Sequence, residues 1–326
     1  MSFDKANVLI TGGLGFIGSN LAMRLADEGA NVTLIDSLIP EYGGNLWNIV
    51  PIASRCRVNI SDVRDPHAMR YLIQGQDYLF NLAGQTSHMD SMAAPFTDLD
   101  INAHAQLSIL EACRHYNPRI RIVFAGTRQV YGRPQYLPVD EKHPIRPVDV
   151  NGINKVAGES YHLLYDDVYG IRSTVLRLTN TYGPRMRVKD ARQTFIGIWI
   201  KLMLEGKSFE VWGGEQLRDF TYVDDCVDAM LLAAQNDTAQ GKIYNLGGEK
   251  TVSLLQLAQL LIAANNGAGE FTVRQFPEDR KKIDIGDYYS DDALIRKELG
   301  WETRVPLEEG LSRTVAYFRT ELAKYL

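Results

Sequence analysis

Residues 8–18 read Val-Leu-Ile-Thr-Gly-Gly-Leu-Gly-Phe-Ile-Gly, and no other stretch restricts the fold so strongly. An apolar strand runs into a glycine-rich turn, and a helical pattern begins at Gly18-Ser19-Asn20. Two overlapping spacings are satisfied, Gly13-x-Gly15-x-x-Gly18 and Gly12-x-x-Gly15-x-x-Gly18. Backbone N–H groups at the positive end of a helix can receive a pyrophosphate, and a Cβ in such a turn blocks its approach. Gly12, Gly15, Phe16, Ile17 and Gly18 are therefore candidate cofactor contacts. Asp36 closes the second strand pattern, where a carboxylate can bind both hydroxyls of a ribose. Ser37-Leu38-Ile39 follows it with no arginine to offset a 2′-phosphate, which favours NAD over NADP. Asp62 and Val63, after the third strand pattern, are placed to meet the adenine.

The periodicity of the first half extends this local reading to a fold. Apolar runs at 7–11, 31–36, 56–60, 78–82, 121–125 and 173–178 alternate with helical patterns at 18–28, 66–73, 96–116 and 151–168. Strands separated by helical crossovers predict a doubly wound parallel Rossmann sheet covered on both faces. After Thr179 the segments shorten and gain Arg, Gly and aromatic residues, which predicts a smaller mixed α/β substrate-binding lobe. The expected division is 1–178 for the NAD-binding part, with a returning segment at about 222–247 that includes the strand pattern at 243–246. Residues 179–326 mainly form the second lobe.

Composition excludes several classes. Thirty-five basic against forty acidic residues give a net charge of −5, without the basic excess of a nucleic-acid binder. An apolar content of 45% argues against disorder. No run approaches the ~20 apolar residues of a bilayer span, and the N-terminus runs almost at once into strand 7–11 without a leader pattern. Cys56, Cys113 and Cys226 are too few and scattered for a disulfide framework. These features predict a reduced, cytoplasmic protein. Six histidines without ligand spacing predict no metal.

Several motifs beyond the turn carry a resemblance. They are Asn81-Leu82-Ala83-Gly84, Ser87-His88-Met89-Asp90-Ser91, Val130-Tyr131-Gly132, Asn180-Thr181-Tyr182-Gly183-Pro184-Arg185, the stretch from Arg218 to Asp225, and Leu299-Gly300-Trp301. With them the chain resembles, over nearly its whole length, the extended short-chain dehydrogenase/reductases, specifically the NAD-dependent nucleotide-sugar epimerases and dehydratases. The resemblance implies cofactor contacts at Leu82, Ala83, Gly84, Asn102 and Lys155. It also implies a Ser/Thr–Tyr–Lys set acting on the sugar 4-hydroxyl, with Thr127 and Lys155 in the first and last places. Asn151 stands where the tyrosine belongs, and an amide cannot serve as a general base. Three explanations stay open: another base among His88, Tyr131 and Tyr182; a protein that binds NAD and a nucleotide sugar but turns over weakly or not at all; or an introduced replacement at Asn151.

Family dehydratases carry an acidic pair immediately after the Ser/Thr. Here Arg128 and Gln129 fill those places, which favours an epimerase over a 4,6-dehydratase. Arg128 can instead pair with a substrate carboxylate or phosphate. The implied partner is a nucleoside-diphosphate sugar, met by His88, Arg128, Asn180, Arg192, Gln193 and Arg218. The family's Arg-Pro-Gly-Asp stretch reads Phe276-Pro277-Glu278-Asp279, so Arg280 or Lys281 is the available substitute for its arginine. Arg185, Arg187, Lys189 and Arg192 line either the anionic pocket or a solvated loop. The helices at 96–116 and 151–168 would pair with a second copy as a four-helix homodimer interface, with Leu107, Ile109, Leu110, Tyr161, Leu164 and Tyr165 supplying apolar surface.

Overall fold

The computed structural model describes residues 2–192, 194–278 and 282–326. From the N-terminus the elements are β1 (Asn7–Thr11), α1 (Phe16–Asp27), β2 (Asn31–Asp36), β3 (Cys56–Ile60), α2 (Pro66–Leu72) and β4 (Tyr78–Asn81). Next come α3 (His88–Ala93), α4 (Pro95–Leu99), α5 (Ala105–Tyr116), β5 (Arg121–Thr127), α6 (Val150–Tyr169) and β6 (Ser173–Leu178). The remainder comprises β7 (Asn180–Tyr182), α7 (Phe195–Leu204), β8 (Phe209–Trp212), β9 (Leu217–Tyr222), α8 (Val223–Gln235) and β10 (Lys242–Asn245). It ends with β11 (Thr251–Ser253), α9 (Leu254–Ala264), β12 (Phe271–Arg274), α10 (Ala293–Leu299) and α11 (Leu307–Glu321).

Seven strands form one parallel sheet in the order β10-β6-β5-β4-β1-β2-β3. The strand order reverses at β1, so a crevice opens at the carboxyl ends of β1 and β4, the usual ligand position in open α/β sheets. Strand β1 shows why the sheet needs helices on both sides. Val8 and Ile10 pack with Leu21, Leu25, Val227 and Met230 of α1 and α8. Leu9, on the opposite face, packs with Ile109, Leu110 and Tyr165 of α5 and α6. Strand β10 returns after α8 and pairs with β6, Tyr244 opposite Leu176. Two small sheets, β11-β9-β7 and β12-β8, belong to the second lobe. Trp199, Ile200, Phe209, Phe220, Leu257, Leu311 and Phe318 form its core.

The pattern at 96–116 is not one helix. Helix α4 passes through a π-turn at Asp100–His104 before α5 begins. Such turns displace side chains from the regular face, and this one contains Asn102, whose amide donates to the Gln85 carbonyl at 2.9 Å. The arginines after Tyr182 do not form an open anionic loop either. Arg185 donates to Asn20 Oδ1 (2.9 Å) and the Asn48 carbonyl (3.2 Å). Arg187 holds Asp190 and the Pro40 carbonyl. Both fasten the second lobe to the first. Ile109, Leu110 and Tyr165 are buried within the chain, whereas Phe96, Ile153, Leu164 and Val168 remain exposed on α4 and α6. Among the described residues no helix is long and apolar enough to cross a membrane.

Candidate active site

A cavity of about 280 Å³ occupies the crevice and is lined from both lobes. One end is the glycine turn. Gly12 has a positive φ of 67°, and a Cβ there would lie 3.1 Å from the Ala83 backbone nitrogen. At Gly18 a Cβ would lie 2.3 Å from the Gly12 carbonyl oxygen. Gly15 caps α1 without a side chain, so the helix terminus faces the cavity uncovered. Thr11 couples the turn to the next loop: its hydroxyl accepts from the amides of Leu82 and Ala83 and donates to Asn81.

Gly12, Gly15, Phe16, Ile17, Gly18, Asp36, Asp62, Val63, Leu82, Ala83 and Gly84 all line this cavity. Asp36 accepts from the backbone amides of Leu14 (3.1 Å) and Leu38 (2.9 Å), which fix its carboxylate at the end of β2. Burial pushes its pKa upward, and those two amides oppose the shift. Asp62 is engaged by Arg64 through two short contacts, and this hydrogen bonding holds its carboxyl below the ordinary range. Asn102 stands behind the lining: its Oδ1 is shielded and lacks a hydrogen-bond partner. A Cβ on Gly84 would lie 2.9 Å from that oxygen and 3.0 Å from Lys155 Nζ. The bare turn, the fixed carboxylate and the unpaired amide oxygen fit an adenine dinucleotide lying along the crevice.

The other end gathers Thr127, Asn151 and Lys155. Thr127 ends β5 and accepts from the Gln129 amide at 3.2 Å. Lys155 Nζ donates to the Ala125 carbonyl at 3.1 Å and sits 5.1 Å from the Phe124 ring centre. Burial pushes its pKa down to about 8, against the pull of Asp98 and Glu159. A lysine shifted this way binds fewer protons folded than unfolded between about pH 8 and 10.5. Its burial cost is therefore fully present below pH 8 and fades as pH rises. Without dinucleotide, Lys155→Met is expected to be more stable than the parent protein at pH 7, with the gap narrowing toward pH 10. Urea midpoints across that range check this.

Asn151 is 2% exposed, and its Nδ2 donates to the Gln85 carbonyl (2.8 Å) and to Asp98 Oδ2 (3.1 Å). Asn154 donates to the other Asp98 oxygen at 2.8 Å. The amide at position 151 thus anchors a buried carboxylate. Tyr131 and Tyr182 do not reach the cavity. Tyr131 is fully buried, its hydroxyl donating to Asn245 and accepting from Arg177. Tyr182 is fully buried beneath α11, bonded to the Leu307 carbonyl.

Of the expected substrate contacts, His88, Arg128 and Asn180 line the cavity. Arg128 donates to Asn180 Oδ1 at 3.0 Å and lies 5.1 Å from the Tyr288 ring centre. Its second terminal nitrogen is shielded without a partner, and burial lowers its pKa. Arg218 is placed elsewhere: it is 6% exposed, outside the lining, and donates to the carbonyls of Leu217 and Gly286. Burial and the neighbouring Arg128 push its pKa down to about 10. Arg192 also lies outside the lining, paired with Asp90 at 3.1 Å. Gln193, Arg280 and Lys281 lie outside the described residues. Sequence reading missed Asp98 and Asp149, whose partners are remote along the chain. For Asp149 the available signal was an Asp just ahead of a helical pattern, an N-cap signature. Among the described residues no group of His, Cys, Asp or Glu could hold a metal.

A parallel sheet with a glycine cradle at its switch point and a threonine–lysine corner beyond it defines a dinucleotide-dependent enzyme of the Rossmann class. Residues 8–247 match the model of the NAD dependent epimerase/dehydratase family, and the chain belongs to that family. A candidate UDP-glucose 4-epimerase of Methanocaldococcus jannaschii is 34% identical, aligned over 96% of this chain and 98% of its own. A dTDP-glucose 4,6-dehydratase of Streptomyces niveus is 31% identical over 97% of this chain and 94% of its own. The Thermotoga maritima UDP-glucose 4-epimerase, solved with UDP-glucose, superposes with a TM-score of 0.88 at 31% identity, covering 97% of this chain and 99% of that one.

Proposed function

We propose that this enzyme oxidises a nucleoside-diphosphate sugar at C4 and re-reduces it there, as a 4-epimerase. The observation that carries the choice over a 4,6-dehydratase is the pair after Thr127. Arg128 is a part-buried cation, and Gln129 spends its amide on Asp149 at 2.8 Å, so neither can act as the acid and base of a C5–C6 elimination. NAD supplies the acceptor for the hydrogen and electron pair that C4 gives up. Gly12, Gly15 and Gly18 seat its pyrophosphate and Asp36 a ribose. Lys155 and Asn102 border the space beside Gly84 at the other end. Thr127 offers a hydroxyl to the sugar oxygen. Arg128 and Asn180 form the anion-binding side, with one guanidinium nitrogen still unpaired. The exposed apolar residues of α4 and α6 support a homodimer contact on that face.

Asn151 favours a second reading, a protein that binds both ligands without turnover, because its amide is bound to Asp98 and offers no base. Mixing the NAD-loaded protein with UDP-glucose, UDP-galactose, UDP-N-acetylglucosamine, UDP-glucuronic acid and dTDP-glucose separates the two. The expected result is a transient reduced-nicotinamide absorbance and a C4 epimer with at least one sugar. Binding by calorimetry with neither signal establishes the second reading.

A further inference from the structure

We propose that His88, oriented by Asp149, is the acid–base group at the sugar end of the cavity; this rests on the epimerase reading above. Helix α3 begins at His88, and the ring lines the cavity with its side chain 40% exposed. Its Nδ1 is shielded from solvent and lies 2.9 Å from Asp149 Oδ2, an ion-pair distance at which the ring N–H is not yet aligned with that oxygen and a small turn of the ring completes the hydrogen bond. The Asp149 side chain is itself fully buried. Its Oδ1 caps α6 through the Gly152 amide at 2.7 Å, and Oδ2 also accepts from Gln129 Nε2 at 2.8 Å. Burial alone would raise this carboxyl. His88, the Gly152 amide and Gln129 outweigh that and hold it below the ordinary range. A fixed carboxylate beside Nδ1 selects the tautomer with the proton there, leaves Nε2 as the acceptor, and stabilises the imidazolium once formed.

Among the described residues no other group at this end fits the role. Lys155 is cationic at neutral pH and donates to Ala125, Arg128 is cationic, and the Thr127 hydroxyl is too weak a base. Tyr42 also lines the cavity, from the loop after β2, but burial, with Asp90 and Asp98 close by, pushes its phenol above the ordinary range and away from a base at neutral pH. Asp149 caps the helix that carries Asn151 two positions later. The residue lacking a titratable proton and the residue supporting a histidine therefore share one helical turn. Of the charged groups on the elements packed around α3, α4 carries Asp98 and α6 carries Lys155 and Glu159, with Asp166 and Asp167 farther along α6; on α3 itself Asp90 pairs with Arg192.

In the forward step Nε2 takes the proton of the C4 hydroxyl, and the O–H electron pair forms the C4–O π bond. The C4 hydrogen would leave with its bonding pair to the nicotinamide of a dinucleotide that the glycine turn and Asp36 would hold. In the return step hydrogen and pair are restored to the opposite face of C4, and Nε2 gives its proton back to the oxygen. Histidine and dinucleotide end as they began.

The test uses the NAD-loaded full chain with the five sugars above and the variants His88→Asn and Asp149→Asn. The second keeps a helix-capping side chain while removing the charge. Expected are a loss of about 10²–10⁴-fold in kcat for His88→Asn, at unchanged NAD content and UDP affinity, and a smaller loss for Asp149→Asn. The limb of the parent pH profile that reports the imidazole should vanish in His88→Asn. Independently of turnover, the 15N shifts of His88 should report an Nδ1-protonated ring in the parent and not in Asp149→Asn. His88→Asn working within threefold of the parent, or an Nε2-protonated parent ring, overturns the assignment and leaves the epimerase reading standing. A parent that reduces nicotinamide with none of the sugars overturns that reading, and the assignment with it.

Discussion

Gly18→Ala is expected to yield a folded protein that is purified without dinucleotide and takes none up. The added Cβ would lie 2.3 Å from the Gly12 carbonyl oxygen and 2.9 Å from the Gly13 Cα. Both are backbone atoms, so neither can turn aside. The turn must open, and with it the spacing between the α1 terminus and the Gly12–Gly13 peptides that would together receive the pyrophosphate. A loss of about 3 kcal/mol of binding free energy, roughly 100-fold in affinity, is the minimum expected. Calorimetric titration with NAD measures it. Gly15→Ala provides the graded comparison: its Cβ meets only the Gly12 oxygen, at 3.2 Å, which a shift of a few tenths of an ångström relieves. If Gly18→Ala binds as tightly as the parent, the cradle does not seat the pyrophosphate.

Breaking the ion pair between α6 and β6 is expected to have the largest effect on stability. Arg177 and Glu159 meet through two contacts, of 3.1 and 2.5 Å, with side chains 1% and 3% exposed. Arg177 also donates to Tyr131, which in turn holds Asn245 of β10. Arg177→Met leaves the Glu159 carboxylate buried without its partner, and a loss of about 3–5 kcal/mol follows. The double replacement Arg177→Met/Glu159→Leu should recover much of that, since a buried pair is worth little over apolar residues of similar size. Urea unfolding of the single and double variants provides the measurement. Equal destabilisation in both would mean that the hydrogen bond to Tyr131, not the stranded charge, is what matters.

Much of the sheet was legible because buried parallel strands are apolar on both faces, and the patterns at 7–11, 31–36 and 173–178 coincide with β1, β2 and β6. The pattern at 56–60 coincides with β3, an exposed edge strand that was legible from the alternation of Cys56, Val58 and Ile60 instead. Strand β5 runs two residues further than its apolar run, because Gly126 and Thr127 pair with Arg177 and Leu178, and hydropathy carries no trace of such pairing. The break at Asp100–His104 was equally invisible, since periodicity cannot register one extra residue in a turn. At the cavity, the lining residues of the glycine turn and of Leu82–Gly84 are contiguous motifs and therefore readable. The sugar end depends on partners distant in sequence. Arg218 reads as a phosphate ligand, and only the fold shows that it donates to the carbonyls of Leu217 and Gly286 outside the lining; His88 reads as one of three base candidates, and only the fold sets Asp149 beside it. Asn151 read only as a missing base; its bond to Asp98 gives it a job of its own.

That bond also bears on what this corner can accommodate. Asp98 is wholly enclosed, and two amides from one helix satisfy its two oxygens. A phenol at position 151 would withdraw one of those donors and require room for a ring where Gln85 and Asp98 now close in. An aromatic side chain at position 151 is therefore expected to fit only together with an alteration at Asp98.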